Sequence, residues 1–222
     1  MTPQELPASP VQLDSLYDIV VSGGPLMWPI LLASVIALTY IVERAIRLRE
    51  VELGSSSYAR AILDALSQGG TEAAIQACER EPRPLGRILR SGLVRAGAPL
   101  LEREKAVEDA GARELKHLNA RLKPLAIVAV LAPLLGFLGT VFGMIEAFIS
   151  IALDQGLGKP ELLAAGISQA LVTTAAGLCV AIPAQAAYFW LRARVERFAR
   201  RVEDLYVELD ESLVRARQER AA

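Results

Sequence analysis

The 222-residue chain is 53% hydrophobic, with mean hydropathy +0.34, yet 22% of it is charged. That is apolar for a soluble protein, and it excludes an even mixture, so the apolar and charged residues must be segregated along the chain. The net charge of −1 says nothing about partners; the placement of the basic residues says more.

Residues 1–22 are Pro-rich and acidic, with Glu5, Asp14 and Asp18, and read as a short periplasmic arm with an interfacial helix near 13–21. Gly23-Gly24-Pro25 breaks this arm from the first span, and Trp28 sits where an interfacial aromatic belongs. The stretch Ile19–Val42 carries no charge, so a first transmembrane helix is expected over 23–45, its helical pattern running on to about Glu52. It lacks the basic n-region of a cleaved signal peptide.

Residues 46–123 read as a cytoplasmic helical domain. Gly54-Ser-Ser-Ser57 starts a helix that Gly69-Gly70 ends; Thr71 starts another, running to about Glu81; Pro82 and Pro84 break the chain before a short helix over 85–95. From Pro99 a long charged helix begins, with Glu102 and Glu104 in its first turns and no stop signal before Pro124. A second transmembrane helix is expected over 124–153, where only Glu146 is charged, then a periplasmic loop over 154–161 and a third, uncharged transmembrane helix over 162–191. Each span exceeds the roughly 20 apolar residues that cross a bilayer. Residues 192–222 continue as a cytoplasmic helix. There Val195, Phe198, Val202, Leu205, Leu209 and Leu213 recur at steps of three and four, the seam of a helix packed along a partner. That partner is a second copy, the helix from 99 to 123, or simply the chain's own fold.

Of the 24 basic residues, only Lys159 falls outside Arg44–Lys123 and Arg192–Arg220. Lys and Arg favour cytoplasmic flanks, so all three spans agree on an N-terminus outside and a C-terminus inside. Cys78 and Cys179 then fall in different compartments, as packing cysteines and not a disulfide.

Within the second span Gly136, Gly139 and Gly143 share one helical face with Thr140. The third repeats the design with Gly166, Ala170, Thr174, Gly177 and Ala181. Such stripes serve close helix packing, or they line a narrow hydrated path. The polar residues at depth are Thr140, Glu146, Ser168, Gln169, Thr173 and Thr174. With the two helices antiparallel, Thr140 and Thr174 fall near mid-depth, and Glu146 and Gln169 share an outer layer about 9 and 7.5 Å away by helical rise. The threonines alternatively bond their own i−4 carbonyls, and Glu146 alternatively meets headgroups. No catalytic pairing, metal spacing or phosphate loop is present, so no enzyme, metal or cofactor is expected, nor a nucleic-acid partner.

Two blocks carry a resemblance: Ala132-Pro-Leu-Leu-Gly-Phe-Leu-Gly-Thr-Val-Phe-Gly-Met-Ile-Glu-Ala-Phe148 and Gly166-Ile-Ser-Gln-Ala-Leu-Val-Thr-Thr-Ala-Ala-Gly-Leu-Cys-Val-Ala-Ile-Pro183. They resemble the MotA/TolQ/ExbB proton-channel family, its ExbB-like branch most closely. The resemblance implies an all-α inner-membrane protein that forms a pentameric ring around single-span helices of an ExbD-like or TolR-like partner. It further implies proton flow between ring and partner, with the resulting motion passed to a TonB-like or TolA-like protein. By the same resemblance Thr140 and Thr174 match the pore-lining threonines. Many relatives carry Glu where this chain has Gln169, which cannot titrate; the titrating acid is then an Asp of the partner, or Glu146. A TolQ-like role, a non-conducting membrane scaffold and a secondary transporter are the rival readings, the last disfavoured by the lack of paired repeats.

Overall fold

The computed structural model describes residues 22–49, 53–153 and 160–221, and among these every regular element is a helix. Six follow in order: α1 (Met27–Arg47), α2 (Ser56–Arg80), α3 (Pro84–Leu93), α4 (Leu100–Ala120), α5 (Lys123–Leu153) and α6 (Pro160–Ala221). The arm expected before the first span and the loop between the last two lie almost wholly outside the described residues, as does the expected run of the first helix beyond residue 49. Three stretches are long and apolar enough to cross a membrane: Met27–Arg47, one within Leu100–Ala152 and one within Leu163–Arg215. Their outer faces stay uncovered in the isolated chain, with Trp28 70%, Phe137 65% and Ile182 66% exposed. Side chains of this kind belong in lipid or against other protein.

Several joints follow local chemistry. Gly24 adopts φ 70°, the left-handed region that suits glycine, and its carbonyl accepts the Met27 amide at 3.1 Å as α1 begins. Past Arg47 the helical bonding of α1 tightens, the Arg49 amide reaching the Ile46 carbonyl at 3.2 Å. Ser55 caps α2, its hydroxyl accepting the Tyr58 amide at 3.3 Å. At Gly70 the backbone turns to φ 75° and ψ −169°, so α2 is two helical runs joined at the glycine pair the sequence marks. The long helix expected to reach Pro124 unbroken is instead interrupted at Arg121 and Leu122. Pro124 has no N–H to offer the Ala120 carbonyl, so α4 closes one turn early and α5 starts at Lys123. The interruption is mild, since Arg121 keeps φ −75° and ψ −11°.

The chain divides into two compact units, 1–38 with 127–185 and 39–126 with 186–222. The second holds a contiguous apolar core built from Tyr58, Ile62 and Leu66 of α2, Leu85, Ile88 and Leu89 of α3, Val107 of α4, and Phe198, Val202, Leu209 and Leu213 of α6. The heptad-like seam of the tail is therefore covered by its own chain. Buried in the same unit, Arg103 is 4% exposed and donates to Asp210 at 2.6 Å and to the Ala98 carbonyl at 3.2 Å. Arg87 grips Glu114 with two bonds of 2.6 and 2.8 Å, which holds the Glu114 carboxyl below its usual range.

The first unit holds the candidate site, since it contains the small-residue faces of α5 and α6.

Candidate functional site: the paired α5 and α6 helices

The two small-residue stripes meet. A Cβ added at Gly177 would lie 2.6 Å from the Ala132 carbonyl oxygen; at Gly136, 3.1 Å from Thr174 Cα; at Gly143, 2.9 Å from Ala170 Cβ; at Gly166, 2.6 Å from Ala147 Cβ. Paired numbers rise on one helix as they fall on the other, so α5 and α6 pack antiparallel and nearly backbone to backbone. Gly139 faces the Thr173 side chain in the same ladder. Ala132, Ala147, Ala170 and Ala181 are all buried. Without Cβ atoms the helices approach closely and gain dispersion along their whole contact, which is what drives helix association in lipid.

Each threonine hydroxyl is engaged differently. Thr174 donates across the helix pair to the Gly136 carbonyl at 2.8 Å. Thr140, half-buried, donates to the Phe137 carbonyl one turn back at 2.6 Å. Thr173, only 1% exposed, lies 2.8 Å from the Gly23 carbonyl oxygen and 2.9 Å from that of Gln169. It ties the turn that opens α1 to α6. Gln169 is half-buried with its amide against Gly24. Glu146 points away from this packing: it is exposed, and among the described residues its carboxylate has no hydrogen-bond or ion-pair partner. Among the described residues no hydrogen bond joins Glu146 to Gln169, and Ser168 is exposed.

The structure thus brings Gly136, Gly139, Gly143, Gly166, Ala170, Thr173, Thr174 and Gly177 into one interface and leaves Thr140 at its margin and Glu146 outside it. Sequence reasoning missed the tie from Thr173 to Gly23, because helical spacing assigns a face but not the partner on it. It also placed Cys179 as a packing residue, whereas that thiol is exposed on the isolated chain and Cys78 is buried. Burial pushes the Cys78 thiol up to about 11. Among the described residues no cluster of three His, Cys, Asp or Glu is placed to hold a metal.

Three helices long and apolar enough to cross a membrane, two of them packed through a glycine ladder that takes in Thr173 and Thr174, are those of an integral membrane protein. The model of the MotA/TolQ/ExbB proton channel family matches residues 80–204, and the chain belongs to that family. It is 35% identical to a putative ExbB-like biopolymer transport protein of Synechocystis over 77% of this chain and 68% of that one. It is 33% identical to the biopolymer transport protein exbB1 of Vibrio cholerae over 78% of each chain. A shorter stretch of 83 residues is 41% identical to the Tol-Pal system protein TolQ of Haemophilus influenzae, covering 37% of this chain and 36% of the other. The chain is a membrane proton-channel subunit of this family.

Proposed function

We propose that this protein is the channel-and-stator subunit of an ExbB-type energy transducer in the bacterial inner membrane. Copies of it form a ring, a pentamer by resemblance, around the single-span helices of an ExbD-like or TolR-like partner. Proton flow between ring and partner energises a TonB-like protein for uptake across the outer membrane. The N-terminus lies in the periplasm and the C-terminus in the cytoplasm, a topology supported by the basic flanks. The observation that carries this reading is the 33–35% identity with ExbB-named transport proteins over 77–78% of this chain and 68–78% of theirs. The helix pair supports it: Thr174 lies in the interface and Thr140 at its margin, each donating to a backbone carbonyl, and no carboxylate stands at position 169. Thr140, Thr174, Thr173 and Gln169 then border the path, and the titrating acid comes from the partner.

The first experiment is the native mass of the detergent-extracted complex, expressed with and without its ExbD-like neighbour. A ring of this chain holding a small single-span protein is the expected result; a monomer or dimer indifferent to the neighbour would sink the reading. Thr140→Val and Thr174→Val then separate a proton path from a scaffold. Conduction predicts an intact complex that no longer supports uptake, while a scaffold tolerates both. The TolQ match favours a second reading, work in the Tol-Pal envelope system. Rescue of an envelope-constriction defect, with uptake unaffected, would select it.

A further inference from the structure

Arg49, Arg194, Arg197 and Arg201 stand around one open cavity of about 450 Å³ whose floor includes Leu48 and Phe198. All six belong to the second compact unit. Arg194 is held in place: its guanidinium lies 3.8 Å from the centre of the Trp190 ring and donates to the Ala45 carbonyl at 3.3 Å. Arg201 donates to the Ser56 hydroxyl at 2.7 Å. Arg49 and Arg197 are exposed. On α1 the uncharged run stops at Val42 and the cluster follows at Leu48 and Arg49; on α6 the run stops at Leu191 and the cluster begins at Arg194. An aromatic ring and a belt of arginines at such a point mark the level of lipid headgroups.

The lining asks for a ligand of two characters. Guanidinium groups converge on an anion and favour the planar, two-pronged contact that a phosphate offers. Leucine and phenylalanine side chains at the floor favour something apolar attached to it. We propose that this cavity binds the headgroup of an anionic phospholipid, its acyl chains lying along the apolar runs of α1 and α6. Basic pockets between membrane helices on the cytoplasmic side recognise lipids by this combination. The inference rests on the reading that α1 and α6 cross the membrane with their basic flanks in the cytoplasm.

The test uses the full-length complex in detergent and native mass spectrometry, with phosphatidylglycerol, phosphatidylcholine or free glycerol phosphate added. Arg49→Gln with Arg197→Gln removes two cavity arginines. Arg47→Gln with Arg200→Gln removes the same charge from neighbouring positions that do not line the cavity. Phosphatidylglycerol should bind the unaltered protein and the second variant alike, and bind the first roughly thirtyfold more weakly, the scale of two headgroup-level arginines. If the first variant does not assemble, Arg197→Gln alone carries the test, with roughly a fivefold loss expected. Equal loss in both double variants would overturn the site in favour of diffuse charge. Displacement of the lipid by glycerol phosphate at equal concentration would overturn it in favour of a soluble anion. A parallel measurement isolates the membrane reading: Arg197→Cys should react with an impermeant maleimide in inverted vesicles and not in right-side-out ones. The opposite labelling with lipid binding intact would overturn the orientation and leave the site standing.

Discussion

A methyl group decides much at the α5–α6 contact. At Gly177 an added Cβ meets the Ala132 carbonyl and the Gly136 backbone, neither of which can swing aside. At Gly111, inside α4, it meets nothing within 4 Å. Gly177→Ala is therefore expected to lower the thermal midpoint of the detergent-solubilised protein. Gly111→Ala should raise it, because the helix propensity gained adds about 0.5–1 kcal/mol of stability. Spacings of three and four made the glycine stripes legible. The acceptors of the threonines were not: Thr173 reaches Gly23, 150 residues away along the chain. The same limit hid Arg103, which carries no signal of burial among its charged neighbours.

Two buried acids of the second unit set a pH response. Tyr58 donates to the Glu81 carbonyl at 2.7 Å, and burial pushes its phenol up to about 12; the Cys78 thiol rises to about 11. Both folded values exceed the unfolded ones, so the native state holds these protons more tightly. Their contribution is complete below the unfolded values, near 9 for the thiol and 10 for the phenol, and is lost as pH climbs through the folded ones. Melting curves should thus fall from about pH 9 upward, with Cys78→Ala removing the first part of that decline.

At the scale of elements, glycine and proline governed where helices break, and the sequence showed nearly every break. Gly70 divides α2 as its composition suggested. The joint between α4 and α5 differed: the interruption at Arg121 and Leu122 coincides with the N–H that Pro124 lacks, whereas Pro133 and Pro183 are carried inside α5 and α6 without a break. The tail of α6 illustrates another limit. Its seam of Val195, Phe198, Val202, Leu209 and Leu213 was plain, yet a seam does not name its cover, and in the fold the cover is the chain itself. The ion pair of Arg103 with Asp210 joins α4 to that tail. Asp210→Asn should cost roughly 3 kcal/mol, because it strands a buried guanidinium. Arg103→Leu with Asp210→Leu should recover much of that loss in the same unfolding assay.

For the molecule as a whole, the segregation of charge from apolar sequence announced a membrane protein, and the two motif blocks announced its family. What a single chain leaves exposed is equally telling. Phe137, Phe148 and Ile182 face outward, as does Glu146. Energised uptake should survive Glu146→Gln and fail in Thr174→Ala if the titrating acid belongs to the partner. Failure of both would put the carboxylate of this chain in the proton path.

The threonine hydrogens carry one more consequence. Thr140 and Thr174 each spend their only hydrogen on a backbone carbonyl, so toward any neighbouring water they can act solely as acceptors. Water molecules beside them must turn a hydrogen inward, which fixes the dipole orientation of a hydrogen-bonded file at those points. Such oxygens welcome a hydronium and a sodium ion on similar terms. If these hydroxyls border the proton path as proposed, discrimination between the two ions must arise at a group that itself gains and loses a proton.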